Sequence, residues 1–167
     1  MLHMMTIQLL PTEAQRKILD ETITIFTDIC NFMSEIAFRT KTTSNKIKLQ
    51  KESYAIVREK FNAPSQMVVL AISKVVESYK LGGKDLIRFT DKEPVIYDKR
   101  LLAFKWIERV SISTYDGRLD IPLIVRGYSD ARLIAGRAEL VKLENEYYLH
   151  IAVDFPSHSS LKPIEYK

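Results

Sequence analysis

Apolar and polar residues alternate at the start of the chain. Met5, Ile7 and Leu9 are separated by Thr6 and Gln8, so an extended segment here has one apolar and one polar face. This pattern predicts a short strand with one buried face, and a nearby proline ends it.

The period then becomes helical. Thr12 and Gln15 have the spacing of a capping box, in which each side chain bonds the backbone N–H of the other at a helix start. Apolar residues next recur every seven positions: Leu19, Phe26 and Met33. We therefore expect a first helix from Thr12 to about Arg39, packed on this apolar stripe.

Two more helices are expected before the pattern changes again. One runs from about Lys46 to Phe61. The other runs from Ser65 to Leu81, with Pro64 at its start, where a missing N–H is harmless. One face of the earlier helix carries four of its residues: Gln50, Tyr54, Val57 and Phe61. The three helices together predict a bundle.

Beyond residue 93 the spacing is that of short strands. The extended pieces are 95–97, 101–105, 110–114, 118–125, 136–143 and 147–153. Asp116-Gly117 is a strong hairpin turn because glycine adopts a positive φ without steric cost, and a second hairpin is expected around residues 144–146. Pro122 predicts that its strand is an edge strand or carries a bulge.

This order predicts an α+β fold in which a bundle of three or more helices is inserted into a small β-barrel of the oligonucleotide-binding type. The first strand cannot stand alone, so we expect it to pair with the late strands. The segments are residues 1–10 (first barrel strand), 11–92 (helical insert), 93–156 (the rest of the barrel) and 157–167 (flexible tail). Small barrels of this kind often bind oligonucleotides on their open face.

Positive charge is concentrated in the middle of the chain. Of the 25 Lys and Arg residues, sixteen lie between Lys41 and Arg118, against nine Asp and Glu in the same stretch. Both flanks are slightly acidic, so the middle of the chain is more basic than the formal net charge of +4 indicates. Because lysines and arginines neutralise phosphates and release counterions, this distribution favours binding to nucleic acid.

The sequence offers no good set of catalytic or metal-binding residues. Cys30 is the only cysteine and lies in an apolar helical run, which is typical of a small core residue in a reducing compartment. The three histidines are not spaced as metal ligands, and no glycine-rich phosphate loop or Gly-x-Ser-x-Gly elbow is present. We therefore expect no enzymatic activity, no metal and no cofactor.

The sequence also predicts where the protein is found. No stretch has the pattern of a signal peptide, and no apolar run reaches the length of a membrane span. We expect a soluble, cytoplasmic protein without a membrane partner, associated with the nucleoid.

Two basic groups and several aromatic residues are candidates for contact with nucleic acid. The helical group consists of Lys41, Lys46, Lys48, Lys51, Arg58 and Lys60. The group at strand ends and turns consists of Lys99, Arg100, Lys105, Arg109 and Arg118. The candidates for base stacking are Tyr97, Trp106, Tyr115 and Tyr128. Each group has a plain alternative: a solvated helix face, arginines paired with nearby acids, and aromatics that fill a barrel core.

Six short segments share the order and spacing of one known family. They are Leu10-Pro11-Thr12 with Gln15 and Leu19; Asn31; Pro64-Ser65-Gln66 with Ala71 and Val75; Val95 to Leu101; Val110 to Pro122, including Gly117-Arg118; and Tyr147-Tyr148-Leu149. Over about residues 6–155 they resemble the N-terminal half of the TnpB (OrfB) proteins, which are compact transposon-encoded RNA-guided nucleases related to type V CRISPR effectors.

The resemblance implies a wedge-type barrel with a helical recognition insert that binds guide RNA and target or flanking duplex DNA. The family's RuvC-like nuclease and zinc-ribbon cysteines have no counterpart in this sequence, so nuclease activity is not carried over. We expect either an excised N-terminal portion, acting with a missing nuclease domain, or a naturally shortened descendant. Two alternatives stay open: a domesticated fragment that binds proteins or forms homo-oligomers, and an enzyme with an unrecognised site.

Overall fold

Three helices lie between the first strand and the later strands. A computed structural model describes residues 2–82, 84–105, 108–125 and 134–154. The helices in these ranges are α1 (Glu13–Thr40), α2 (Lys46–Phe61) and α3 (Ser65–Gly82). The strands are β1 (Leu2–Leu9), β2 (Val95–Tyr97), β3 (Leu102–Lys105), β4 (Arg109–Thr114), β5 (Gly117–Val125), β6 (Ile134–Leu143) and β7 (Glu146–Asp154). The predicted α+β class and the helical insertion after the first strand are confirmed.

The strands form one antiparallel sheet in the order β2-β6-β7-β1-β5-β4-β3. β1 pairs with β7 along its whole length and with β5 over its last residues, so the prediction that the first strand pairs with late strands is confirmed. The sheet is curled into a half-barrel. Its apolar side and the helices share one hydrophobic core.

A short connection explains why the sheet curls. β2 and β3 lie at opposite ends of the strand order, yet only residues 98–101 separate them along the chain. Seven strands in a flat sheet would place the outer two about 29 Å apart, whereas this connection reaches at most about 18 Å. The Tyr97 hydroxyl donates a hydrogen bond to the Ser113 carbonyl oxygen at 2.7 Å, which joins β2 to β4. The two sides of the sheet are therefore held together.

Local sequence signals explain where α1 begins and where the hairpins turn. The Thr12 and Gln15 capping box is present, with the two backbone-to-side-chain hydrogen bonds at 3.0 and 3.2 Å. Thr114 pairs with Gly117, whose φ of 84° is the positive value that the sequence predicted for this turn. Glu144 and Asn145 have positive φ in the second hairpin. These predictions are confirmed.

Two sequence expectations need correction. On the predicted face of α2, Val57 is buried and Tyr54 and Phe61 pack against the core, but Gln50 is exposed. Leu49 and Ser53 complete the buried face, and the Ser53 hydroxyl donates to the Leu49 carbonyl oxygen at 2.6 Å. Pro122 lies in an interior strand, and its pairing with β4 is continuous. It is tolerated because β5 changes there from pairing with β4 to pairing with β1.

In the described residues, none of the helices has the length and apolar character needed to cross a membrane. The predicted tail at 157–167 lies outside the described residues.

Candidate nucleic-acid interface

The outer face of α2 carries three cations, with the exposed acids Glu52 and Glu59 beside them. Lys48, Lys51 and Arg58 are all exposed and lie on the side of the helix away from the buried stripe. Lys51 and Arg58 are seven residues apart, so they project from nearly the same line along the helix. We call these three residues the α2 face.

The other members of the predicted helical group are dispersed around the helix ends. Lys41 caps α1 in the left-handed conformation, with φ of 58°, and Lys46 lies in the first turn of α2. The Lys60 ammonium lies 4.9 Å from the centre of the Phe32 ring and 5.8 Å from that of Phe61. All three side chains are exposed, but they do not extend the α2 face.

The predicted strand-end group divides into two parts. Lys105 and Arg109 both bond Asp120, at 3.2 and 2.9 Å. The hydrogen bond from Arg109, followed by that from Lys105, holds the pKa of the Asp120 carboxyl below its usual value. This pair of cations is therefore partly neutralised within the fold.

Arg100 and Arg118 are held by uncharged partners instead. The Arg100 guanidinium donates to the Gln66 side-chain oxygen at 2.9 Å, and Arg118 donates to the Arg100 carbonyl oxygen at 3.2 Å. Among the ion pairs formed within the described ranges, none includes either arginine. Their positive charge is thus oriented without being cancelled.

Contacts at the start of α3 link this group to the α2 face. The Arg58 guanidinium donates to the Ala63 carbonyl oxygen, just before α3 begins. Gln66, in the first turn of α3, accepts from Arg100. The C-terminal end of α2 and the segment that follows β2, about forty residues apart in sequence, therefore both make contacts at the start of α3. We call Lys48, Lys51, Arg58, Lys99, Arg100 and Arg118 together the basic surface.

A cavity of about 470 Å³ opens between α3 and β2 beside this junction. Four cationic residues line it, and only two of them were predicted: Lys74, Lys99, Arg100 and Arg137. Glu77 and Asp98 are its acidic residues. We call it the α3–β2 cavity.

Lys74 has an unusual environment for a lysine. Its ammonium donates to the Pro94 carbonyl oxygen and lies 5.6 Å from the centre of the Phe26 ring and 5.8 Å from that of Phe89. Burial lowers the pKa of this amine, and the nearby Cys30 and Glu93 partly offset that effect. In the sequence, Lys74 stands out only as a charged residue within an apolar stretch of α3.

The connection from α3 to β2 is fastened to α1 close to Lys74. The Asn31 side chain accepts from the Phe89 N–H at 2.7 Å and donates to the Phe89 carbonyl at 3.0 Å. Ser34 donates to the Ile87 carbonyl oxygen at 2.6 Å. These bonds hold the segment that contacts Lys74 through Phe89 and Pro94.

The aromatic candidates do not form a stacking platform in the described part of the chain. Tyr97 is fully buried, and burial raises the pKa of its hydroxyl; the prediction that it stacks on a base is wrong, because β2 is buried on both faces. The Tyr115 hydroxyl bonds Glu21, which raises its pKa to about 12. Trp106 and Tyr128 lie outside the described residues.

Cys30 is expected to be chemically inert in the folded protein. It is 1% exposed, and burial raises the pKa of its thiol from 9.0 to about 12. Because the thiolate is the reactive form and the sulfur is covered, labelling with a thiol reagent at pH 8 should be at least about a hundredfold slower in the native than in the urea-unfolded protein. Rapid labelling of native protein would show that the core around Lys74 opens readily.

In the described ranges, no group of three or more His, Cys, Asp and Glu side chains is arranged to hold a metal ion.

No model of a known protein family matches the chain, and no curated protein matches it. The family resemblance therefore rests on the short segments themselves. Several of them occur where the site is built: Pro64-Ser65-Gln66 opens α3, and Tyr97 to Arg100 leads from β2 into the cavity rim.

Proposed function

We propose that this chain is a non-catalytic nucleic-acid-binding module of a TnpB-like RNA-guided DNA-targeting protein, and that it binds guide RNA and target or flanking duplex DNA. The observation that carries the proposal is the set of exposed cations of the basic surface, two of which, Arg58 and Arg100, are held by contacts at Ala63 and Gln66 near the start of α3. A solvated face of isolated lysines does not require such contacts.

The physical chemistry of the basic surface suits a phosphate backbone. Each lysine or arginine that meets a phosphate releases condensed counterions, so a row of cations gives affinity without reading sequence. Arg100 is oriented before binding by Gln66, which lowers the entropy lost when it engages a phosphate. Base pairing with a guide would supply the sequence specificity that such a surface lacks.

The architecture agrees with the proposal by analogy. A curled antiparallel sheet with helices inserted after its first strand is compatible with a wedge-type barrel carrying a recognition insert. Here the sheet would hold structured guide RNA, and α2 would face the guide–target hybrid or the flanking duplex.

Salt dependence tests the proposal directly. The purified chain would be titrated against structured RNA, duplex DNA and single-stranded DNA, with binding followed by fluorescence anisotropy. If all six cations of the basic surface contact phosphates, the slope of log K against log salt is about −5, and affinity falls roughly 10³-fold between about 50 and 200 mM salt. Absence of binding to all three ligands, or affinity that does not change with salt, would contradict it.

A second candidate function is a protein-interaction or regulatory module. Ile47 and Ile56 on α2 are 71% and 50% exposed, and Phe38 on α1 is 45% exposed. Apolar side chains on neighbouring helices favour contact with a protein partner or a second copy of the chain. Concentration-dependent dimers in sedimentation experiments, together with no affinity for nucleic acid, would favour this function over the first.

A further inference from the structure

The α3–β2 cavity has the size and shape of a small-ligand site. Its volume of about 470 Å³ lies within the range of pockets that enclose small molecules. The bases of a double helix are paired and stacked, so only their edges are accessible in the grooves and a whole base cannot enter such a cavity. A single unpaired nucleotide is the unit of a nucleic acid that fits the cavity.

The charges around the cavity favour a phosphate at the rim. Asp98 is already engaged, since it accepts from the Gln66 side chain at 2.7 Å and from the Arg100 N–H at 2.9 Å. Glu77 lies 3.7 Å from the Arg137 guanidinium. Asp98 keeps its negative charge, so the exposed Lys99 and the oriented Arg100 give two cations against one acid on the side of the cavity that joins the basic surface.

The interior of the cavity suits a base. Leu70 and Ile96 give it an aliphatic wall, and Ser73 and Glu77 supply a hydroxyl and a carboxylate beside that wall. An unstacked base is normally held in this way, by apolar contact with its face and hydrogen bonds to its edge. Lys74 lies within hydrogen-bonding contact of Pro94 and closes the end of the cavity with a cation.

We infer that the α3–β2 cavity binds one unpaired nucleotide of the bound nucleic acid, with its phosphate at Lys99 and Arg100 and its base against Leu70 and Ile96. The inference rests on the proposed function and adds a ligand class to it. The nucleic acid that this chain prefers then contains an unpaired nucleotide next to a helical region.

Two RNA duplexes that differ by one nucleotide test the inference. One is blunt, and the other carries a single unpaired nucleotide at one end. The chain should bind the second at least about tenfold more tightly, as expected when one base gains a protein contact. Ser73→Phe, which fills the cavity, should remove this preference and leave affinity for the blunt duplex within about twofold.

Matched variants keep the test independent of folding. Ser78→Phe adds the same ring to a different face of α3 and should retain the preference. Lys99→Gln changes an exposed residue, so it leaves the fold intact, and it should reduce the preference. Thermal melts of each variant verify that it is folded.

The outcomes separate the two proposals. No binding to either duplex overturns the proposed function itself. Equal affinity of the wild type for both duplexes, or a preference that survives in Ser73→Phe, overturns only the cavity assignment. Displacement by free 5′-UMP without any preference for the unpaired nucleotide also overturns it, because the cavity would then be a site for a free nucleotide.

Discussion

Neutralising the α2 face with Lys48→Gln, Lys51→Gln and Arg58→Gln is expected to weaken nucleic-acid binding roughly 10²–10³-fold at about 0.1 M salt. Each lost phosphate contact removes about 0.9 from the slope of log K against log salt, so the slope should become shallower by about 2.7. The measurement is the anisotropy titration, repeated at several salt concentrations. The effect should be similar for all sequences, because phosphate contacts do not read bases.

A matched triple variant controls for net charge. Lys17→Gln, Lys80→Gln and Lys84→Gln remove the same formal charge from exposed positions. Lys80 lies in the last turns of α3, about 21 Å along the helix axis from Gln66, the residue that bonds Arg100. This control should change affinity by less than about tenfold. Equal losses in the two triples would mean that overall charge, rather than the basic surface, drives binding.

Replacing Tyr97 with alanine is expected to lower the free energy of unfolding by about 3–5 kcal/mol, as for other large aromatic residues removed from a core. Tyr97 is fully buried, and its hydroxyl joins β2 to β4 through Ser113. Tyr97→Phe keeps the ring but leaves the Ser113 carbonyl without this donor, so it should cost about 1–3 kcal/mol. Urea unfolding followed by circular dichroism measures both changes.

Tyr115→Phe provides the comparison for Tyr97. Tyr115 also loses a hydrogen bond in this variant, but its partner Glu21 is an exposed carboxylate that water can solvate. Its effect on unfolding should therefore be much smaller than that of Tyr97→Phe. If the two phenylalanine variants were equally stable, the bond from Tyr97 to Ser113 would not be what holds the curled sheet together.

Features set by neighbouring residues could be predicted from the sequence. The Thr12 and Gln15 capping box and the positive φ of Gly117 depend on contacts within a few positions, and both are confirmed. On α2 the predicted face included the exposed Gln50 and missed the buried Ser53, whose hydroxyl bonds the Leu49 carbonyl oxygen on its own helix. A pattern of apolar positions counts serine as polar, so it leaves a buried serine out of the inner face of a helix.

Features set by distant residues could not be predicted. Sequence analysis found Lys99 and Arg100 but not Lys74 and Arg137, because the four come together only when α3, β2 and β6 meet. Tyr97 was a candidate for base stacking, but both faces of β2 are covered, so it fills the core instead. Sheet order, which no local pattern encodes, decided each of these outcomes.

The central position of β1 in the sheet has a consequence for how the chain is made. β1 leaves the ribosome before both strands that pair with it, which lie more than a hundred residues later. The contacts among α1, α2 and α3 are closer in sequence, and such contacts form sooner. We therefore expect the helices to assemble during synthesis while β1 is still unpaired. The sheet is then completed only after β7 has left the ribosome.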